Sequence, residues 1–272
     1  MALPVQWKNW VLKALLNGTS ATEILSTLMQ NGFRFEDAKA VLGSNLPASV
    51  KSPLNDDFYL KLSKPAFLNN AAFEYRDIGK ALGVGHQIQL YSFPDFLSAD
   101  ECNAIIRATD NRFTPSTIAA ESGYASHRTS TTCNLTFLDA PIVGAVEQKI
   151  VSLLQLGIGE TEVMQAQRYQ LGQEFKAHTD YFEPGTEAFR QHATVRGQRT
   201  WTCMIYLNRV ELGGETEFIA LNHAVKPEQG TALVWNNLLP NGTVNPMTIH
   251  HAHPVKNGEK YVITKWFRTF NQ

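Results

Sequence analysis

The stretch MTIHHAHPVKNGEKYVITKWF (Met247–Phe267) joins two segments rich in β-branched and aromatic residues through the turn-forming sequence KNGEK. Similar segments precede it, separated by Gly and Asn: VMQAQRYQ (Val163–Gln170), TWTCMIYL (Thr200–Leu207) and TALVWNN (Thr231–Asn237). No convincing helical pattern follows Gly159. Short strands at such intervals predict a β-sandwich or barrel over the second half of the chain.

Helical patterns dominate the first half. Residues 1–46 predict a module of three short helices, and Ser20 with Glu23 forms a capping box for the second. The Pro-, Ser- and Asn-rich stretch at 43–57 indicates a linker. We therefore divide the chain into a helical module at 1–46, a linker or extended arm at 47–85 and a mainly β domain at 86–272. Two helices are predicted to flank its strands, starting after Ser98 and at Asp139-Ala140-Pro141, the second ending before Gly157.

Composition excludes several classes of partner. The chain has 272 residues, of which 43% are hydrophobic and 18% charged, with a formal net charge of −1. Because no basic run is present, we expect neither a nucleic-acid nor a membrane partner. Three widely spaced cysteines and an N-terminus without a signal-peptide pattern favour a cytoplasmic protein. The sequence does not specify the oligomeric state.

The stretch EFKAHTDYF (174–182) contains the first candidate metal ligands. His178 and Asp180 are two residues apart, so on a strand both side chains point to one face. A histidine from a distant strand would complete a two-histidine, one-carboxylate site with open positions, which suits Fe(II) better than structural zinc. The C-terminal cluster offers three such histidines, and this geometry alone does not choose among them: His250, His251 and His253.

Four blocks in order resemble the prolyl 4-hydroxylase-type Fe(II)/2-oxoglutarate dioxygenases. The blocks are RYQLGQEFKAHTDYF, QRTWTCMIYLNRVELGGETEF, AVKPEQGTALVW and HHAHPVKNGEKYVITKWF, and the likeness extends from about Gln87 to Arg268. It implies a double-stranded β-helix (jelly-roll) core with flanking helices, an α+β arrangement, as a dioxygenase domain at 86–272. It also implies an oxidoreductase that uses Fe(II), 2-oxoglutarate and O2.

The resemblance assigns the site residues. The family's distal histidine stands four residues before a Pro-Val pair and ten before a basic residue, and both spacings select His250 here. His178, Asp180 and His250 are then the expected catalytic metal ligands. The basic residue is Lys260, which is expected to pair with the far carboxylate of 2-oxoglutarate, because a buried carboxylate requires a cation. Tyr169 and Thr216 take the family's hydroxyl-donor positions.

The expected substrate contacts also come from the resemblance. Arg199 and Trp266 occupy substrate-side positions, and Arg128 is a candidate neighbour. Phe175 stands where these enzymes commonly have a tyrosine, so a hydrogen bond of about 0.5–1.5 kcal/mol to a prolyl peptide is lost. We therefore expect proline-rich peptides to stimulate the reaction only weakly. The turn-rich segment Glu183–Gln198 is predicted to be a lid.

Three functions stay open at this point. The first, implied by the resemblance, is hydroxylation of a C–H bond of a prolyl residue in a protein or peptide. Phe175 and the short segment Ile219–Val225 favour a free amino acid or another small molecule as the second. The third possibility is a non-catalytic metal-binding jelly-roll module, for which a missing metal ligand would be the sign. No ligand is missing from the sequence.

Overall fold

The computed structural model describes residues 3–31, 33, 35–52, 54–116, 127–135, 138, 140–156, 162–193 and 196–269. The α-helices within these residues are α1 (Val5–Leu16), α2 (Ala21–Gln30), α3 (Phe35–Leu42), α4 (Asp56–Leu62), α5 (Ile78–Ala81), α6 (Ala99–Thr109) and α7 (Pro141–Leu154). The strands are β1 (Arg76–Asp77), β2 (Leu90–Phe93), β3 (Thr114–Pro115), β4 (Thr131–Asn134), β5 (Gln165–Tyr169), β6 (Phe175–His178), β7 (Arg199–Tyr206), β8 (Leu212–Gly213), β9 (Thr216–Phe218), β10 (His223–Val225), β11 (Ala232–Asn236), β12 (His250–Ala252), β13 (Val255–Asn257) and β14 (Lys260–Arg268).

The N-terminal helices α1, α2 and α3 pack on a small core of their own. That core is built from apolar residues at helical spacing: Leu3, Val11, Ala21, Ile24, Leu25, Leu28, Phe35, Ala38, Leu42 and Leu46. Ser20 caps α2 by accepting from the Glu23 N–H, and the Glu23 carboxylate accepts from the Ser20 N–H in return. The three predicted helices are present. The division into a separate module stays a prediction.

Residues 47–85 differ from the predicted extended arm. Asn55 caps α4 by accepting from the Phe58 N–H, and a 3₁₀ helix follows at Ala66–Asn69. Leu62 and Phe67 are buried in the main core, and the Leu62 carbonyl accepts a hydrogen bond from the Trp201 indole at 2.9 Å. Helical spacing of apolar residues begins directly after the turn-forming stretch that ends at Asp57, with Phe58 and Leu62. The segment is part of the folded body.

Two β-sheets enclose the space where the candidate ligands lie. The larger sheet has the order β1-β2-β11-β7-β14-β5-β4-β3, and the smaller has β10-β9-β12-β6. Side chains alternate along β7: Trp201, Cys203 and Ile205 enter the main core, whereas Met204 and Tyr206 enter a second core between the sheets. This arrangement agrees with the expected double-stranded β-helix.

Helices α6 and α7 cover the outer face of the larger sheet. Ser98 caps α6 in a capping box with Glu101, and Pro141 is the first residue of α7, both as predicted. Asp139 and Gly157, which belonged to the prediction for α7, lie outside the described residues. The main core contains apolar residues from both helices: Cys102, Ile105, Val143, Val146, Ile150, Leu153 and Leu154. Because the helices cover one face of the larger sheet, the candidate site lies on the opposite face.

Candidate metal and 2-oxoglutarate site

A narrow cavity of about 30 Å³ lies between the two sheets. Most of the site residues predicted from the sequence line this cavity, and several residues that were not predicted line it as well. Its lining is Arg128, Gln167, Tyr169, Phe175, His178, Asp180, Met204, Thr216, Trp235, His250, Ala252, Lys260, Val262, Thr264 and Trp266. Arg199 is the exception among the predicted site residues.

His178 and His250 face each other across neighbouring strands. They are paired in register on β6 and β12, and their ring centroids are 4.2 Å apart. Each ring donates Nδ1–H to a carbonyl two residues earlier, that of Lys176 at 2.7 Å and that of Thr248 at 2.9 Å. Burial and the neighbouring His250 hold the pKa of His178 well below its ordinary value. The Nε2 lone pairs are thus directed into the cavity, as metal-binding histidines require.

Asp180 supplies the carboxylate, and a chain of hydrogen bonds fixes its orientation. Its Oδ1 is 4.0 Å from His178 Nε2, while its Oδ2 accepts from the Thr202 hydroxyl at 2.7 Å. Thr202 in turn accepts from the Asn237 amide at 2.9 Å, and Asn237 accepts from the Trp235 indole at 3.1 Å. Sequence reasoning missed Thr202 and Asn237, although the alternation of TWT in β7 indicated an inward threonine.

Replacing Thr202 by valine tests this chain of hydrogen bonds. Valine has a similar shape but cannot donate to Asp180, so we expect Fe(II) affinity to fall by about 10- to 100-fold. The KM for 2-oxoglutarate at saturating iron should change little, because Thr202 is hydrogen-bonded to the metal side of the site. Metal titration under anaerobic conditions measures the first quantity. A change in the KM alone would contradict the assignment.

Lys260 is the first residue of β14 and is 1% exposed. Its ammonium has no hydrogen-bond partner among the described residues and lies 5.1 Å from the ring centre of Tyr169 and 5.5 Å from that of Tyr206. Burial lowers the pKa of Lys260 to about 7, and the charge of Glu215 opposes this only in part. Gly214 leaves room for the lysine stem, since a Cβ there would be 3.3 Å from Lys260 Cδ. An unpaired buried cation of this kind fits a bound carboxylate.

Two tyrosines and a threonine lie near the lysine. Tyr169 is opposite Lys260 in the register of β5 and β14. Thr216 is buried, and its Oγ1 accepts a hydrogen bond from the Tyr206 hydroxyl at 2.8 Å. Tyr206 was not predicted from the sequence, where it appears as one more aromatic strand residue. Tyr169 and Thr216 line the cavity together with Lys260, so this part of its wall is polar.

Phe175 packs directly on a candidate ligand. Its ring is stacked on His178 with a centroid distance of 3.5 Å and an angle of 14° between planes. The Arg128 guanidinium is 4.9 Å from the centre of the Phe175 ring. Arg128 also donates to Ser130 at 3.1 Å and to Thr132 at 3.2 Å. The contact of Phe175 with substrate stays a prediction, whereas its packing on His178 is evident.

Arg199 is ion-paired rather than directed into the cavity. Its guanidinium donates two hydrogen bonds to Glu162, at 2.5 and 2.6 Å, and a third to the Asp180 carbonyl at 3.3 Å. It also stacks 4.0 Å from the centre of the Trp266 ring, and Arg268 shares the same carboxylate at 2.7 Å. Sequence reasoning missed Glu162. The substrate roles of Arg199 and Trp266 stay predictions, and the indole N–H of Trp266 has no partner among the described atoms.

The predicted lid, Glu183–Gln198, is described except for residues 194 and 195. It contains a short π-helical turn at Phe189–Ala193. Gln198 anchors its C-terminal end by bonding both to the N–H and to the carbonyl of Phe182, at 2.8 and 2.7 Å. Closure of this segment over the cavity stays a prediction.

The donor set fits a single metal ion. One ligand atom from each of His178, Asp180 and His250 can be chosen so that all lie within 4.8 Å of one another. Two imidazoles and a carboxylate form the arrangement that non-haem Fe(II) oxygenases use. The unpaired ammonium of Lys260 in the same cavity offers the positive charge that a buried carboxylate requires. This chemistry is that of an oxidase or oxygenase rather than of a structural metal site.

Comparison with known proteins agrees with this chemistry. Residues 164–268 match the model of the 2OG-Fe(II) oxygenase superfamily. Probable prolyl 4-hydroxylase 9 of Arabidopsis thaliana is 33% identical over 66% of this chain and 68% of its own. Prolyl 4-hydroxylase 13 of the same plant is 31% identical over 68% of this chain and 73% of its own. The viral collagen prolyl hydroxylase of Paramecium Bursaria Chlorella virus-1, solved with 2OG, superimposes with a TM-score of 0.52 at 26% identity, over 65% of this chain and 94% of that one.

The chain belongs to the prolyl 4-hydroxylase-type 2OG-Fe(II) oxygenases and is an Fe(II)- and 2-oxoglutarate-dependent dioxygenase. Its core is the double-stranded β-helix of that family. The interpretation as a non-catalytic module is therefore wrong. Among the described helices, none has the length and apolar character needed to cross a bilayer.

Proposed function

We propose that this enzyme hydroxylates a prolyl residue of a protein or peptide. In this proposal His178, Asp180 and His250 bind Fe(II), and Lys260 binds the far carboxylate of 2-oxoglutarate. The observation that carries it is the cavity that contains both the three clustered donors and the unpaired buried ammonium. When bound, the iron supplies the redox chemistry by which O2 and 2-oxoglutarate give succinate, CO2 and a hydroxylated C–H bond.

The protein's own residues orient the reactants and exclude water. The carbonyls of Lys176 and Thr248 fix the tautomers of the two histidines, and Thr202 fixes the Asp180 carboxylate. The rings of Tyr169 and Tyr206 pack beside the Lys260 ammonium, and the Tyr206 hydroxyl donates to Thr216 at 2.8 Å. Preorganised donors of this kind hold an anion without the cost of reorientation.

Lys260 makes 2-oxoglutarate binding dependent on pH. Because burial lowers its pKa to about 7, the free site is charged below pH 7 and progressively neutral above it. Binding a carboxylate requires the charged form, so it takes up a proton above pH 7. We expect the Kd for 2-oxoglutarate to rise by up to about tenfold per pH unit above pH 7 and to be flat below it.

Anaerobic calorimetry of the metal-loaded enzyme in buffers of different ionisation enthalpy measures both the Kd and the proton uptake. Lys260→Arg is the matched control, because its guanidinium stays charged over this range and should remove the pH dependence. The same slope in both proteins would assign the titration to another group.

The prolyl substrate rests on similarity to prolyl hydroxylases and on the residues that line the cavity. The curated relatives are prolyl 4-hydroxylases, and the viral structure is a collagen prolyl hydroxylase. Arg128, Trp266 and Phe175 line the metal side of the cavity and could contact a peptide there. These relatives favour a prolyl residue over a free amino acid or another small molecule as substrate.

The direct test is to incubate the Fe(II)- and 2-oxoglutarate-loaded enzyme with proline-rich peptides and to search for hydroxyproline by mass spectrometry. The ratio of succinate formed to peptide hydroxylated shows how tightly 2-oxoglutarate turnover is coupled to hydroxylation. Hydroxylation of a prolyl residue supports the proposal, while a peptide matched in length but lacking proline is the control. Turnover with free proline or another small amino acid, and none with any peptide, would overturn it.

Phe175→Tyr tests the departure from the family pattern. The added hydroxyl can form one more hydrogen bond, worth about 0.5–1.5 kcal/mol, so the peptide KM should fall by up to roughly tenfold. The KM for 2-oxoglutarate should not change, since Phe175 packs on His178 and not on Lys260. Steady-state assays with the same peptide measure both. A lower kcat with no gain in KM would show that Phe175 serves only to pack His178.

A further inference from the structure

The outer face of the smaller sheet carries a second group of potential metal ligands. His251 on β12 is directly opposite Glu217 on β9. His253 follows β12, and its N–H donates to the Glu215 carbonyl at 2.8 Å. Glu174 precedes β6, on the other side of β12. The rings of His251 and His253 are 4.3 Å apart between centroids, so the two imidazoles lie side by side.

The contacts in this group already join each imidazole to a carboxylate. His253 Nε2 is 2.7 Å from Glu217 Oε2, and His251 Nε2 is 2.9 Å from Glu174 Oε2. One ligand atom from each of Glu217, His251 and His253 can be chosen so that all lie within 4.8 Å of one another. The four side chains are between 21% and 35% exposed. An ion from solvent therefore has access to donors that are held in place.

We propose that Glu217, His251 and His253 bind a divalent transition-metal ion of the zinc type, with Glu174 as a fourth ligand. Imidazole and carboxylate donors in this number suit zinc, which binds four such ligands without a strong geometric demand. A neutral imidazole can carry its proton on Nδ1, which leaves the Nε2 lone pair for the ion. The ion would replace the two histidine–glutamate hydrogen bonds.

This site is separate from the catalytic triad. Successive side chains on a strand point to opposite faces, so His250 points into the cavity while His251 points out. The burial agrees, since His250 is 5% exposed. An ion on the outer face would join the strands β9 and β12 and the residue before β6. It would thereby brace the strands that carry His178 and His250 without contacting substrate.

The test uses the tag-free full chain with His178→Ala and Asp180→Ala, so that the triad does not compete for metal. Equilibrium dialysis against zinc chloride, followed by elemental analysis, should give about one zinc per chain. The melting temperature should rise in the presence of zinc. Adding His251→Ala and His253→Ala should abolish both effects, whereas adding His86→Ala, an exposed histidine elsewhere, should leave them.

Glu217→Gln in the same background is a conservative second variant. It removes a ligand charge but preserves the side-chain volume, and zinc binding should weaken while the circular dichroism spectrum stays the same. Absence of zinc binding in the triad-deficient chain would overturn the proposal. So would zinc binding that survives replacement of His251 and His253.

Discussion

His250→Ala should eliminate Fe(II)-dependent succinate formation. The variant removes one of the three proposed ligands, and His178 is then the remaining imidazole in the described lining of the cavity. A turnover loss of several orders of magnitude is expected, since the chemistry depends on the metal. Iron content after anaerobic gel filtration should fall in parallel.

His251→Ala serves as the comparison, because it changes the next residue of the same strand. Its ring points to the outer face and contacts Glu174, so most of the turnover should be kept. His86→Ala, far from either group, should have no effect. If His251→Ala were inactive and His250→Ala active, the strand would be displaced by one residue from the register described here.

Lys260→Ala should raise the apparent KM for 2-oxoglutarate by between about a hundredfold and a few thousandfold. Leaving a buried charge without its partner costs about 3–5 kcal/mol, and each 1.4 kcal/mol is a factor of ten. Iron affinity should change little, because the triad is held by other residues. Succinate formation as a function of 2-oxoglutarate concentration gives the KM.

Lys256→Ala, an exposed lysine on β13, is the matched control and should leave the KM unchanged. Lys260→Met adds a second readout. Without co-substrate it should melt at a higher temperature than the wild type at pH 6, since it removes an unpaired buried ammonium. The unfolded pKa is 10.5 and the folded pKa about 7, so this gain should shrink as the pH rises above 7. If the KM for 2-oxoglutarate were unchanged in both Lys260→Ala and Lys260→Met, the far carboxylate would be assigned to another residue.

Much of the fold was predictable because the local signals are strong. The caps Ser20 and Ser98 and the proline at Pro141 begin helices where the pattern indicated. The alternating strands β7 and β14 were predictable for the same reason. The segment from Asp56 to Ala81 was not, because its short helices depend on contacts with the sheet, such as the Trp201 indole on the Leu62 carbonyl.

The residues of the candidate site also divide into those that were predictable and those that were not. His178 and Asp180 are two residues apart, which the strand pattern alone indicated, whereas His250 and Lys260 were chosen through the family resemblance, by their spacing to Pro254. Glu162 could not be found in this way, because its partners Arg199 and Arg268 are far along the chain and meet it only in the folded protein. Tyr206, Thr202 and Asn237 carry no motif, and only their position between the two sheets reveals their contacts.

The buried lysine has a consequence for the lifetime of the protein. With 2-oxoglutarate bound as proposed, an unfavourable charge becomes a favourable pair, so the co-substrate is also a ligand that stabilises the fold. Once its concentration exceeds the Kd, each further tenfold increase in 2-oxoglutarate adds about 1.4 kcal/mol to the free energy of unfolding. When the co-substrate is scarce, the chain opens more often and is exposed to proteolysis for longer. We therefore expect the chain to be degraded more slowly by protease when 2-oxoglutarate is saturating than when it is absent.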